Sequence, residues 1–139
     1  AEPIGASTPT PTRRDPFPGS PGYLVEYPQA AGAEPTWPLM RIGFLGAAAT
    51  AAGIYALGIE VPAGPRGGPV FGSTGQWIGL AVAHGGQPDT LVLASQLRRL
   101  LADVVPDAPA QAATTSASAA ADEVYERALP IAVEVIADA

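Results

Sequence analysis

Glycine and proline, 16 of each in a chain of 139 residues, recur every few positions as far as Pro88. Proline lacks an N–H and collides with the preceding turn of a helix, and glycine gives up the most backbone entropy when it is fixed in one. A chain broken up this often folds into short strands joined by tight turns. Between the breaks, apolar residues alternate with others at the two-residue period of a strand. Six segments read this way: "GYLVEYP" (22–28), "LMRIGFLGA" (39–47), "GIYALGIEV" (53–61), "GPVFG" (68–72), "QWIGLAVA" (76–83) and "TLVLA" (90–94). In the second, Leu39, Arg41, Gly43 and Leu45 share one face, and Met40, Ile42 and Phe44 the other. "STG" (73–75) is a hairpin turn, and "PAGPRGG" (62–68), with two prolines and three glycines, is expected to be a tight loop.

The pattern changes at Ser95. "SQLRRLLADVV" (95–105) places Leu97, Leu100, Leu101 and Val104 at helical spacing, with Ser95 as the expected N-cap, Arg98 and Arg99 facing outward and Pro106 as the stop. The expected organisation is a Pro/Thr-rich arm (1–22), a β-barrel with its closing helix (22–105), a low-complexity Ala/Ser/Thr linker (106–121) and a tail (122–139). In the tail, Asp122–Leu129 suits a helix with a Glu123–Arg127 pair one turn apart, and Ile131, Val133 and Val135 alternate as a strand would. No internal repeat is visible. The fold class is therefore mainly β, a small antiparallel barrel with a C-terminal helix and an extended tail.

The charge balance is 7 Arg and no Lys against 13 acidic residues, a net charge of −6. A nucleic-acid binder needs a basic stripe to displace counterions, and an anionic membrane surface asks for the same, so both partners are excluded. No segment is apolar over the roughly 18 residues that a membrane span needs. There is no Cys, and His84 is the single His, which leaves no thiol nucleophile and no Cys- or His-rich metal site. No cofactor motif is present. Lys and Asn are both missing, which reads as GC-rich coding bias. The opening "AEP" matches what cleavage at a small-residue signal site leaves behind, so an exported, periplasmic or secreted protein is expected. Charged residues make up only 14% of the chain, against roughly 25% in typical soluble domains, so some apolar surface is expected to meet a partner.

One stretch looks like an enzyme's: "GPRGGPVFGSTGQWIGLAVA" (64–83). It resembles the nucleophile region of trypsin-like serine peptidases, especially the bacterial HtrA/Deg type, in which Gly-Asn/Asp-Ser-Gly-Gly-Pro precedes a hairpin and a strand. Gly64, Gly67, Gly68 and Pro69 match that turn, and Gly75, Ile78, Gly79 and Ala81 to Ala83 suit the hairpin and strand. "TLVLASQLRRLL" resembles the family's last strand and closing helix, and "GSPGYLVEYPQAAG" an upstream strand and turn. The resemblance covers roughly residues 3–104 and implies the C-terminal one of that family's two barrels. It also implies that "LPIAVEVIADA" (129–139), similar to the strand that leads into that barrel, folds back beside Glu2–Ser7 and completes it.

The same resemblance argues against catalysis. The matched serine is Arg66, whose guanidinium is protonated at any relevant pH and has no lone pair for attack. His84 matches no catalytic position, and the family's His and Asp lie on the barrel that this chain lacks. Gly64 and Arg66 keep the backbone N–H groups that the family uses as its oxyanion hole. Arg66 reads as a surface side chain on a loop, as a carboxylate contact in the former substrate cleft, or as half of an ion pair. Ser73, in a turn, and Ser95, at a helix start, are poor nucleophiles. Glu26, Glu34, Glu60 and Asp89 show no spacing that implies a carboxylate pair. Trp77 is expected in the core. Trp37, between Thr36 and Pro38, is expected on the surface as an interface anchor. The expected binding set is Gly64, Arg66, Gly67 and Trp37. The expected function is a non-catalytic, pseudoprotease-type binding or scaffolding module for another protein or a second copy. The alternatives are one part of a split peptidase and a structural subunit of an envelope complex.

Overall fold

The computed structural model describes residues 11–12, 14–27, 37–47, 55–61, 66–83, 89–102 and 117–132. Six strands form one antiparallel sheet that curls into a half-barrel, accompanied by two short helices. The strands are β1 (Pro21–Glu26), β2 (Leu39–Phe44), β3 (Tyr55–Ala56), β4 (Arg66–Gly72), β5 (Trp77–Ala83) and β6 (Thr90–Leu93). The helices are α1 (Ala94–Leu100) and α2 (Ala121–Ala128). Across the sheet the order is β2-β1-β4-β5-β6-β3. Just past the end of β2, the Gly46 N–H donates to the Ala56 carbonyl (3.0 Å), and the Ala56 N–H donates to that of Ala47 (3.2 Å). The two edges of the sheet thus meet at one end. With that contact counted, β4-β1-β2-β3 follows the spatial order of a Greek key.

The register explains how one sheet serves two cores. Leu24 pairs with Arg41 on one side of β1 and with Val70 on the other. Tyr23 pairs with Ile42 and with Phe71. Alternate residues therefore line opposite faces. Leu24, Leu45, Leu57, Ile59, Val70, Ile78, Ala81, Leu91 and Leu93 fill the concave side. Val25 and Phe71 on the outer face are buried under Ala119, Val124, Ala128 and Ala132, with Tyr23, Tyr27, Met40, Trp77 and Ile131 packed around them.

Arg66, Gly67 and Gly68 belong to β4, paired with Ala83, Val82 and Ala81, so the expected loop over 62–68 does not extend through them. Close packing is the reason for glycine there: a Cβ on Gly68 would run into the Val25 carbonyl of the neighbouring strand. Gly64 lies outside the described residues. The Ser73–Gly75 turn forms as expected. Gly75 has φ of 70° and its N–H donates to the Gly72 carbonyl (2.9 Å), the left-handed position that a three-residue hairpin loop needs. The pairing shifts by one residue between Val70 and Phe71, and the Trp77 indole N–H donates to the Gly79 carbonyl (2.7 Å) beside that bulge.

Both helices depart in detail from the expectation. The cap of α1 is Leu93, whose N–H donates to Gln96 Oε1 (3.1 Å), and Ser95 sits inside the first turn. The helix packs through Ala94, so the apolar stripe stays largely outside: Leu97 is half-buried, Leu100 and Leu101 are exposed, and Val104 lies outside the described residues. In α2 the Glu123–Arg127 pair does not form. The Glu123 carboxylate accepts the Ala120 N–H (3.2 Å), and Arg127 donates to the Thr74 carbonyl (3.2 Å), which ties the helix to the hairpin instead. The expected strand does not begin at Ile131, which lies in a turn with its N–H on the Ala128 carbonyl (2.9 Å). Val133–Ala139 and Glu2–Ser7, the rest of that expectation, lie outside the described residues.

Truncating Leu24, fully buried in the concave core, is expected to cost about 3 kcal/mol of unfolding free energy, from the lost burial and the cavity left behind. Gly68→Ala is expected to destabilise by about 2 kcal/mol through forced strand separation. Urea denaturation of the two variants checks both values.

Candidate functional site

Exposed large apolar side chains concentrate around β2. Trp37 is 76% exposed, Phe44 67%, Phe17 62%, Ile42 59% and Leu39 46%. Ile42 and Phe44 stand on the outer face of the sheet, the same face as half-buried Met40, which α2 and its flanks help to cover. The turn carrying Phe17 is fastened to the end of β2: the Ser20 N–H donates to the Phe17 carbonyl (3.0 Å), the Gly19 N–H to that of Leu45 (2.6 Å), and the Leu45 N–H to that of Ser20 (2.9 Å). The Arg14 guanidinium lies 4.5 Å from the Phe17 ring centroid, so the ring's outer side meets a cation instead of a hydrophobic cover. At the other end, Trp37 precedes Pro38, which is buried and whose carbonyl accepts the Tyr125 hydroxyl (2.6 Å). β2 thus presents an apolar strip held at both ends by hydrogen bonds to other elements.

Below the strip, on the concave face, lies the single ion pair among the described residues. Glu26 is 2% exposed, and its Oε1 accepts the Arg41 Nε at 2.7 Å. A carboxylate buried this deeply is tolerable only when it is hydrogen-bonded to a cation. Arg41, its side chain still about a third exposed (32%), is thus held on the concave face by β1, and the outer face of β2 carries Ile42 and Phe44 without a charge.

Of the expected binding residues, the structure places Trp37 in the strip, fully on the surface as anticipated. Gly67 is exposed and pairs with Val82 in β4, and Arg66 opens that strand opposite Ala83. β4 is separated from β2 by β1, so these positions do not join Trp37 along one strand. Trp77 is half-buried in the outer core, near its expected place. His84 and Glu34 lie outside the described residues. Ser95 Oγ is buried and without a hydrogen-bond partner among the described residues. No three His, Cys, Asp or Glu side chains come together there, and no described helix is long and apolar enough to cross a membrane.

Sequence reasoning missed Phe17, Ile42 and Phe44. For Ile42 and Phe44 the signal available was that the Met40, Ile42 and Phe44 face of "LMRIGF" is wholly apolar, and it does not say whether that face is covered. No protein-family model matches the chain, and neither a curated protein nor a solved structure matches it significantly.

Arg41→Met is expected to lower stability by about 3 kcal/mol, because it removes the Arg41 guanidinium from the buried Glu26 carboxylate. Trp37→Ser, at a site where little is buried, is expected to stay within about 0.5 kcal/mol of the parent. Thermal unfolding of the two variants at one pH separates these outcomes.

Proposed function

We propose that this chain is a protein-binding or scaffolding module built on a trypsin-like barrel that has lost its catalytic residues. The observation that carries the binding role is the apolar strip of Trp37, Ile42 and Phe44 with Phe17 at its end. Single exposed apolar side chains are ordinary on soluble proteins, whereas several gathered on one strand and the segments beside it mark a contact surface. Aromatic anchors such as Trp37 concentrate binding energy when a partner encloses them.

The barrel's kinship rests on the order of matching segments. The Gly-Gly-Pro segment runs in β4, the hairpin and the "IGLAVA" strand follow as β5, and β6 leads directly into α1. Arg66 at the matched serine position supports the loss of catalysis, since acyl transfer requires a nucleophile that a guanidinium does not supply. Gly64, Arg66 and Gly67 are kept in this reading as a second contact region, in which Arg66 would pair with a carboxylate of the partner.

Two measurements test the proposal. Incubation with a fluorophosphonate probe is expected to leave the protein unlabelled, and stoichiometric serine labelling would replace the binding reading with that of a peptidase part. Trp37→Ser combined with Phe44→Ser is expected to reduce retention of a captured partner, or self-association measured by light scattering, at least tenfold at unchanged stability. Unchanged retention and association would remove the strip from the function.

A further inference from the structure

We infer that the edge of β2 over Met40–Ile42 is a strand-docking site, and that its occupant is an extended segment of another polypeptide with apolar residues at alternate positions. The inference rests on the protein-binding reading above and names what is recognised, the partner's main chain.

The hydrogen bonds at the end of β2 define this edge. The Leu45 N–H donates to the Ser20 carbonyl (2.9 Å), and the Leu45 carbonyl accepts the Gly19 N–H (2.6 Å), so both of its main-chain groups point towards the chain that leads into β1. Direction alternates along a strand. Gly43, Arg41 and Leu39 therefore turn their main-chain groups towards β1 as well, opposite Gly22, Leu24 and Glu26. Phe44, Ile42 and Met40 turn theirs away from β1. On that outer side a neighbour is engaged only beyond the end of β2, where the Gly46 N–H donates to the Ala56 carbonyl (3.0 Å). The chain then leaves the edge. The Leu57 N–H donates to the Asp89 carbonyl (3.0 Å), and the Ile59 side chain is buried in the concave core. Gly58, with φ of 64°, lies so close to Phe44 that a Cβ on it would meet the Phe44 carbonyl, which closes the edge at that point. At the other end Pro38 has no N–H to offer. Between these limits, the N–H and C=O groups of Met40 and Ile42 have no partner among the described residues.

The repeat of these groups selects the occupant. Two donors and two acceptors alternating along one strand are satisfied together by the main chain of another extended segment, because only such a segment carries its own N–H and C=O groups at the same spacing. Sheet edges are ordinarily blunted by a proline, an outward charge or a bulge. Over Leu39–Phe44 β2 has none of these: its register with β1 is unbroken, and its one charged residue, Arg41, is paired with Glu26. The neighbouring side chains suit an added strand as well. Ile42 and Phe44 are exposed on the outer face and Leu39 on the opposite one. Apolar residues at alternate positions of the incoming segment pack against Ile42 and Phe44 as cross-strand neighbours.

The tests use the full-length chain. In the free protein the Met40 and Ile42 amides are expected to exchange with deuterium at least 100-fold faster than those of Arg41 and Gly43, and equal protection overturns the open edge. A random dodecapeptide library is then selected on the parent, and the tightest peptide is followed by fluorescence anisotropy. Ile42→Pro removes the outward N–H at a position where the ladder with β1 does not use it, as edge strands tolerate. Ile42→Thr trims the apolar side chain and keeps that N–H. The proline variant is expected to bind the peptide at least tenfold more weakly than the parent, and the threonine variant within threefold of it. An empty selection, or equal binding to the parent and the proline variant, overturns the inference. So does a dimer of the parent in light scattering that Ile42→Pro abolishes, because the occupant is then a second copy. Should the proline variant not fold, N-methylation of the peptide decides: methyl groups on alternate amides are expected to abolish binding and those on the intervening amides to preserve it, and a uniform response overturns the docking mode. Failure of these tests leaves the Trp37 and Phe44 test standing, because that one reads side chains and not main chain.

Discussion

The structure depends on one short strand being buried on both sides. Leu24 and Val25 are consecutive in β1, point to opposite faces of the sheet, and are both fully buried. A strand in that position joins two cores, so the concave core and the outer core cannot be formed independently. Each side chain contributes about 2 kcal/mol on burial, but only if its own face is covered. Glu26 is the exception in this strand, and it dictates the chemistry of its neighbour. Because a buried carboxylate needs a cation, the register that sets Arg41 opposite Leu24 places the charge of β2 on the concave face beside Glu26 and leaves none on its outer face.

Most of the strands could be read from local pattern because both signals involved, two-residue alternation and Gly/Pro breaks, are local. β5 and β6 begin within one residue of where alternation puts them. Errors arise where a residue has two physical uses. The glycines at 67 and 68 read as turn residues by composition, yet Gly68 is there because the Val25 carbonyl leaves no room for a Cβ. Ser95 reads as a cap because serine usually is one, yet the chain enters α1 two residues earlier, at Leu93, and leaves the hydroxyl inside. The docking of α2 was out of reach for a different reason. Its decisive hydrogen bonds, Tyr125 to Pro38 and Arg127 to Thr74, span 87 and 53 residues of sequence. No periodicity encodes a partner that distant. Arg127 illustrates the point: its local partner at helical spacing was Glu123, and the hairpin won it.

Trp37 was identifiable as a surface aromatic because it stands between Thr36 and Pro38, outside any alternating run. Phe44 and Ile42 were not, because their membership of a strand says only that they face the side opposite Arg41 and Leu45. Leu45 is 2% exposed and Phe44 67%, adjacent residues with opposite fates. Which of the two faces is covered depends on where α2 lands, and it lands over β1.

The scarcity of charge in this chain permits two explanations of the bare strip. In the first, a composition with 14% charged residues has too little polar material to cover its surface, so apolar groups are exposed wherever they fall. Such a shortage predicts scatter. In the second, exposure is organised. Five of the eight large apolar side chains exposed among the described residues (Phe17, Trp37, Leu39, Ile42 and Phe44) belong to β2 or to segments next to it. Leu100 and Leu101 lie at the end of α1, on a different element, and Leu80 on β5 is at the margin of exposure. The pairing of Arg41 with Glu26 on the concave face leaves the outer face of β2 without a charge, which fits the second explanation. The apolar strip and the buried ion pair are then two consequences of the same choice. β2 pairs its charge with Glu26 on the concave face and leaves Ile42 and Phe44 exposed on the outer one.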